Sequence, residues 1–176
     1  MRILAALLCS VSLLGAAGAR SNRRAPGFAL VDHTLTTFYD LQDYRGKVVV
    51  VDFMLTACPH CEKMAEILED VAFRYRNRVV VLEIALPPDN QATVAKFRAD
   101  KKTKVPLLLD CGQVGVSFLR PTPGAGVNMP HVFLINGDGW IVNDFEYSPA
   151  TTEIFEGRGL YTELDKMLAG GAGQKK

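Results

Sequence analysis

Apolar residues fall along this chain in blocks, and each change in their spacing marks a predicted element. Residues 28–31 and 36–39 are short β-prone runs around an Asp32-His33 turn and predict a small hairpin. Residues 48–51, all Val, lead into Phe53-Met54-Leu55. That run is apolar on both faces, the pattern of a strand buried at the centre of a sheet. After Cys58 the spacing becomes helical: Met64, Ile67, Leu68, Val71 and Tyr75 share one face, with Glu62, Lys63, Glu66, Glu69 and Arg74 on the others. Residues 79–86 predict a second buried strand, stopped by Pro87-Pro88. Asp89 or Asn90 can cap a helix running to about Ala99, with Val94 and Phe97 facing inward. Residues 106–109 form a third apolar run, and residues 121–126 are a Pro- and Gly-rich loop. Residues 132–135 and 140–144 flank the hairpin turn Asn136-Gly137-Asp138-Gly139. A last helix follows Ser148-Pro149 and carries Leu160, Leu164, Met167 and Leu168, with Gly157 and Gly159 as points of interruption. Strand, helix, strand, helix, strand, then an antiparallel hairpin and a helix, predicts a three-layer α/β fold with a mixed sheet.

The first residues change this picture. Arg2, the nearly unbroken apolar residues 3–17, and Ala17-Gly18-Ala19 read as an export leader, residues 1–19, cleaved after Ala19. The alternative is an uncleaved anchor helix, for which the stretch is short. Cys9 follows Leu8, where a lipoprotein leader would want a small residue, so it reads as a bystander. Export implies a periplasmic or secreted protein. The remaining chain is long enough for one domain with one core. The whole chain carries 20 Lys+Arg against 19 Asp+Glu, so losing Arg2 leaves no net charge. That balance offers nothing to nucleic acid or anionic lipid. Residues 20–25 and 170–176 are expected to be mobile ends.

Beyond the leader the cysteines are Cys58, Cys61 and Cys111, in a compartment where disulfides persist. Three is odd, so at most one intramolecular bond forms. Cys58-Pro59-His60-Cys61 lies where a buried strand ends and an amphipathic helix begins. Pro59 suits the first helical turn, whose N–H groups lack partners anyway. Cys58, just before the helix, meets free N–H groups and the positive end of the macrodipole, which stabilise a thiolate. Cys61, a turn deeper, is within bonding reach and shielded. An imidazolium on His60 would stabilise the Cys58 thiolate further and make the disulfide a stronger oxidant. The bland alternative for His60 is an exposed helix residue. For the CxxC the alternatives are a structural disulfide, which would close too small a loop to remove much chain entropy, and half a zinc site, which lacks its other half. No cofactor or metal is required.

At these residues the chain resembles the thioredoxin superfamily, specifically its TlpA/ResA-like branch of exported thiol–disulfide oxidoreductases. The resemblance rests on Ala25-Pro26-Gly27-Phe28-Ala29-Leu30, on Arg45-Gly46-Lys47 with the valine run, and on the CPHC tetrapeptide. It continues through Val105-Pro106-Leu107-Leu108-Leu109-Asp110 and closes with residues 129–136, Met-Pro-His-Val-Phe-Leu-Ile-Asn. It implies a thioredoxin-like α/β/α domain over residues 26–169 with a central mixed sheet and an N-terminal β-hairpin. It implies that Pro130 is the cis-proline whose loop, with Met129, packs beside the CxxC and pairs with substrate backbone. It also implies that Asp52, six residues before Cys58, is the buried acid of thioredoxins proper, able to accept the Cys61 proton. The alternative for Asp52 is a hydrogen-bonded strand-end residue.

Departures narrow the expectation. Ala57 stands where thioredoxins carry Trp, and the CPHC dipeptide is that of DsbA-type oxidants whose helical insertion is missing here. Cys111, His33 and His131 read as residues without a role in exchange. The activity expected is disulfide exchange with protein thiol or disulfide substrates by a monomer, fed or drained by a membrane-bound electron donor or acceptor. CPHC argues for an oxidant and the TlpA/ResA-like frame for a reductant. Two other classes share the fold. An SCO-type copper chaperone would use the two thiolates and a histidine, but its cysteines are one residue further apart. A peroxiredoxin-type peroxidase would want Thr three residues before the cysteine, whereas Thr56 is two before Cys58.

Overall fold

A computed structural model describes residues 18–171. The leader expected over residues 1–19 therefore lies outside the described residues except for Gly18 and Ala19, and so do residues 172–176 of the expected tail. Gly170 and Gly171 end the last helix. No described helix is long and apolar enough to cross a membrane.

The strands are β1 (Arg23–Arg24), β2 (Ala29–Val31), β3 (Phe38–Asp40), β4 (Val48–Met54), β5 (Val79–Ala85), β6 (Leu107–Leu109), β7 (His131–Ile135) and β8 (Trp140–Glu146). The helices are α1 (Pro59–Arg74), α2 (Gln91–Lys101), α3 (Gln113–Leu119), α4 (Thr152–Phe155) and α5 (Arg158–Gly171). Six strands form one mixed sheet in the order β1-β8-β7-β4-β5-β6, while β2 and β3 make the separate hairpin. β4 pairs in parallel with β5 and antiparallel with β7, so the valine strand lies in the interior of the sheet. Every residue of β4 is buried, as its two-faced apolar run requires.

Alternate residues of β4 serve two cores. Val48 and Val50 pack with Met64, Leu68 and Val71 of α1 and with Leu160 and Leu164 of α5. Val49, Val51 and Phe53 face the other way, onto Phe28, Phe118 and Phe133. There the rings of Phe118 and Phe133 meet edge to face at 5.3 Å between centroids, and those of Phe53 and Phe133 at 5.8 Å. A third cluster caps the sheet at the strands' C-terminal end: Met54 and Ala85 pack with Cys61 and with Val94 and Phe97 of α2.

Local chemistry sets the helix limits. Asn90, not Asp89, caps α2, its side chain accepting from the N–H groups of Ala92 and Thr93. Gly157, at φ +91°, separates α4 from α5. Within residues 20–25, Arg23 and Arg24 pair with Ile141 and Trp140. Ala25 is buried. A row of polar acceptors holds the segment: Asp144 takes the Arg20 N–H at 2.8 Å and the Ser21 hydroxyl at 2.7 Å, and Phe118 O takes the Arg23 guanidinium at 2.6 Å.

Candidate active site

The site forms where β4 hands over to α1. Leu55 O accepts the Cys58 N–H at 3.1 Å, which turns the chain, and Cys58 is the N-cap of the helix with Pro59 in its first turn. The Cys58 sulfur accepts from the Cys61 N–H at 3.4 Å, so one unpartnered donor of the helix terminus points at the sulfur. On its other side Cys58 Sγ lies 3.8 Å from the Met129 carbonyl oxygen. Both cysteines are free thiols, Cys58 half-buried and Cys61 fully buried. Burial, then the contact with Cys58, pushes the Cys61 thiol far up. An accessible sulfur on the helix terminus and a shielded one a turn below suit attack and resolution in that order.

The Met129–Pro130 peptide bond is cis, and Pro130 is buried. Pro130 O accepts the Tyr147 N–H at 3.1 Å. The His60 ring stacks on the Tyr147 ring at 4.1 Å between centroids and 24° between planes. His60, exposed on α1, is thereby joined to the cis-proline loop through a residue that follows β8. Nothing in the spacing along the chain pointed to Tyr147.

Asp52 is fully buried beneath the cysteines, and neither carboxyl oxygen has a hydrogen-bond partner among the described residues. Burial first, then Glu83 and then Cys58, raises its carboxyl well above the usual range. Asp52 in turn adds to the rise of the Cys61 thiol. Glu83 is the group the sequence reading passed over. It sits beside Asp52 in the register of β4 and β5, is equally buried and equally without partners, and is pushed up to about 8, first by burial and then by Glu69. The signal was available: a single acid inside the apolar run of residues 79–86, at the same depth in its strand as Asp52 in β4.

The loop before Cys58 is held from outside. Asp89 accepts the Thr56 N–H at 2.7 Å, the Thr56 hydroxyl at 2.5 Å and the Thr93 hydroxyl at 2.8 Å. One carboxylate thus ties the active-site loop to the start of α2. Asp89→Ala should cost about 2–3 kcal/mol, because hydrogen bonds to a charged acceptor are lost and a backbone N–H is orphaned. A urea midpoint equal to that of the parent protein would refute this anchoring role.

The other candidates lie elsewhere. His131 is fully buried on the sheet face that carries Phe133, stacked on that ring at 4.6 Å and bonded through Nε2 to Asp144 at 3.0 Å. Cys111 is exposed in the turn between β6 and α3. His33 lies in the β2–β3 turn.

Fold and site together define a thioredoxin-like oxidoreductase. Residues 22–143 match the AhpC/TSA family, and the chain belongs to that family. It is 31% identical over 136 residues to the thiol-disulfide oxidoreductase ResA of Bacillus thuringiensis strain Al Hakam, covering 77% of this chain and 74% of the relative. A solution structure from Neisseria meningitidis assigned as a thioredoxin superposes with a TM-score of 0.67 at 26% identity, covering 84% of this chain and 91% of that one. A secreted Mycobacterium tuberculosis disulfide oxidoreductase homologous to DsbE shares the fold at 19% identity, with a TM-score of 0.59 over 76% of this chain and 95% of that one.

Proposed function

We propose that this protein exchanges disulfides with protein partners through Cys58 and Cys61, outside the cytoplasm. The observation that carries the reading is the unequal exposure of two sulfurs at one helix terminus, with the Met129 carbonyl facing the outer one. In the reducing direction the Cys58 thiolate attacks a substrate disulfide and one substrate thiolate leaves. Cys61 then attacks Cys58 Sγ, forming the Cys58–Cys61 bond and expelling the second substrate thiolate. Two electrons pass from the dithiol to the substrate. The oxidising direction is the reverse, beginning with a substrate thiolate on the Cys58–Cys61 disulfide. Met129 and Pro130 form the loop against which the substrate backbone lies, His60 tunes the charge at the helix terminus, and Asp52 exchanges a proton with Cys61.

One named relative is a thiol-disulfide oxidoreductase and one protein of the same fold is a secreted disulfide oxidoreductase, and an export leader over residues 1–19 agrees with the second. In that compartment the electron donor or acceptor is membrane-bound. The copper alternative is weakened by donor placement: no three His, Cys, Asp or Glu side chains group at metal-holding distance among the described residues, and the His60 ring is engaged by Tyr147. The peroxidase alternative is weakened by Thr56, whose hydroxyl donates to Asp89.

Cys61→Ala should trap partner proteins on Cys58 as mixed disulfides that reductant releases, seen on non-reducing gels of the expressing cell's exported fraction. No trapped species would count against protein substrates. Equilibration with glutathione then orders the direction. A potential near about −270 mV assigns a reductant and one near about −120 mV an oxidant.

A further inference from the structure

The sheet places two acids side by side in a compartment with no polar partner for either. Asp52 and Glu83 are register neighbours on the parallel strands β4 and β5, and adjacent strands run about 5 Å apart. Both residues are fully buried, and all four carboxyl oxygens lack a hydrogen-bond partner among the described residues. Their neighbours on the same side of the sheet are apolar. Val50 and Val81 lie before them, Met54 and Ala85 after them, and Val132 and Leu107 stand opposite on the flanking strands. Cys61 belongs to the cluster just above.

Two ionised carboxylates cannot share such a place, because each would lose its hydration and repel the other. A proton held between them removes one charge and supplies the hydrogen bond that the four oxygens otherwise lack. We propose that Glu83 completes a buried carboxyl pair with Asp52, which takes up and returns the Cys61 proton as one unit. Glu83 is then a positioning residue acting through Asp52. This deepens the exchange reading and rests on it.

The step balances. In its singly ionised form, reached as the pH rises toward about 8, the pair carries one proton and one negative charge before resolution. The Cys61 S–H proton passes to the ionised carboxylate, leaving a neutral, doubly protonated pair and a Cys61 thiolate. That thiolate's electron pair forms the Cys58–Cys61 bond as the bond from Cys58 to the substrate sulfur breaks, and the substrate leaves as a thiolate. In the opposite direction Cys61 leaves as the thiolate and recovers its proton from the pair. Other charged groups face the two acids unequally. Cys58 at the N-cap of α1 acts on Asp52, while Glu69 on α1 raises Glu83 and Arg98 on α2 lowers it. Because the two carboxyls interact, their protons leave in steps that belong to the pair and to neither residue alone.

The test uses the full chain and Glu83→Gln, with Glu83→Leu as a second variant should the amide disturb folding. One readout is infrared absorption of protonated carboxyl groups at neutral pH, compared before and after chemical oxidation of the cysteines with diamide. The parent should show a protonated-carboxyl band that changes on oxidation, and both variants should lose most of that change. The other readout is the pH dependence of mixed-disulfide resolution by Cys61. With a neutral residue at 83, Asp52 loses its like-charged neighbour, so the acid limb should move to lower pH by about one unit. A residue that only filled space would leave that midpoint where it was.

Absence of a protonated band at neutral pH, or an unchanged midpoint in both variants, overturns the pair. If the parent protein resolves no mixed disulfide at all, the exchange reading fails separately. The response of the band to diamide then decides the proposal: a change supports a pair linked to Cys61, and no change overturns it.

Discussion

Raising the pH from about 5 to about 8 should destabilise this protein steeply, and Glu83→Gln should remove much of that slope. Burial pushes the Glu83 carboxyl up from its ordinary 4.5 to about 8, so the folded state holds a proton that the unfolded chain releases. A group with a raised folded value contributes stability that is complete below its unfolded value and is lost as pH rises through the folded one. The window is therefore about pH 4.5 to 8, and the loss for this carboxyl reaches about 5 kcal/mol. No solvent screening reduces it, because the side chain is fully buried. Asp52 adds a contribution of the same sign. Asp144 works in the opposite sense. Burial would raise it, but hydrogen bonds from His131, Ser21 and the Arg20 N–H hold it below the ordinary range, so its contribution disappears as pH falls below about 4. Urea titrations at several pH values read both limbs. Equal slopes in the parent and in Glu83→Gln between pH 5 and 8, about the range in question, would remove Glu83 from this account.

The largest expected loss of activity follows Cys58→Ser. A serine hydroxyl offers almost no anion at neutral pH and cannot form the mixed disulfide. Exchange should fall to the uncatalysed rate, a drop of more than about a thousandfold. The fold should survive, because Cys58 is half-buried and a hydroxyl can still accept from the Cys61 N–H. An insulin-reduction assay beside a thermal melt separates the two effects. Substantial turnover by a folded Cys58→Ser protein would contradict the assignment of the nucleophile.

Much of this was legible from local pattern. The valine strand, the amphipathic helix after it and the CxxC at their junction lie within one short segment, so spacing alone brings them together. The hairpin at Asn136 to Gly139 was equally plain, because its turn chemistry sits inside it. α3 was not legible. Val114, Val116 and Phe118 alternate with a period of two, which reads as strand or loop, and Gly115 sits among them. The helix depends on Asp110, whose carboxylate accepts from the N–H groups of Val114 and Gly115. β1 was missed because Arg23 and Arg24 carry no apolar signal, and their order comes from partners on β8 and α3. Within the site, the family resemblance points to Asp52, six residues before Cys58. Glu83 stands out as the lone acid in its apolar run, but only the register of β4 against β5 sets it beside Asp52. Of the two cap candidates, Asp89 and Asn90, Asn90 performs that task while Asp89 reaches back to Thr56.

The stack of His60 on Tyr147 has a mechanical consequence. Cys58 stands between the first turn of α1 and the loop of Met129 and Pro130. Tyr147 clasps both, through its ring on the first and its N–H on the second. The two are therefore linked at a second point besides the contact of the Cys58 sulfur with the Met129 carbonyl. A displacement of the loop of Met129 and Pro130 therefore carries Tyr147 with it and disturbs the stack on His60.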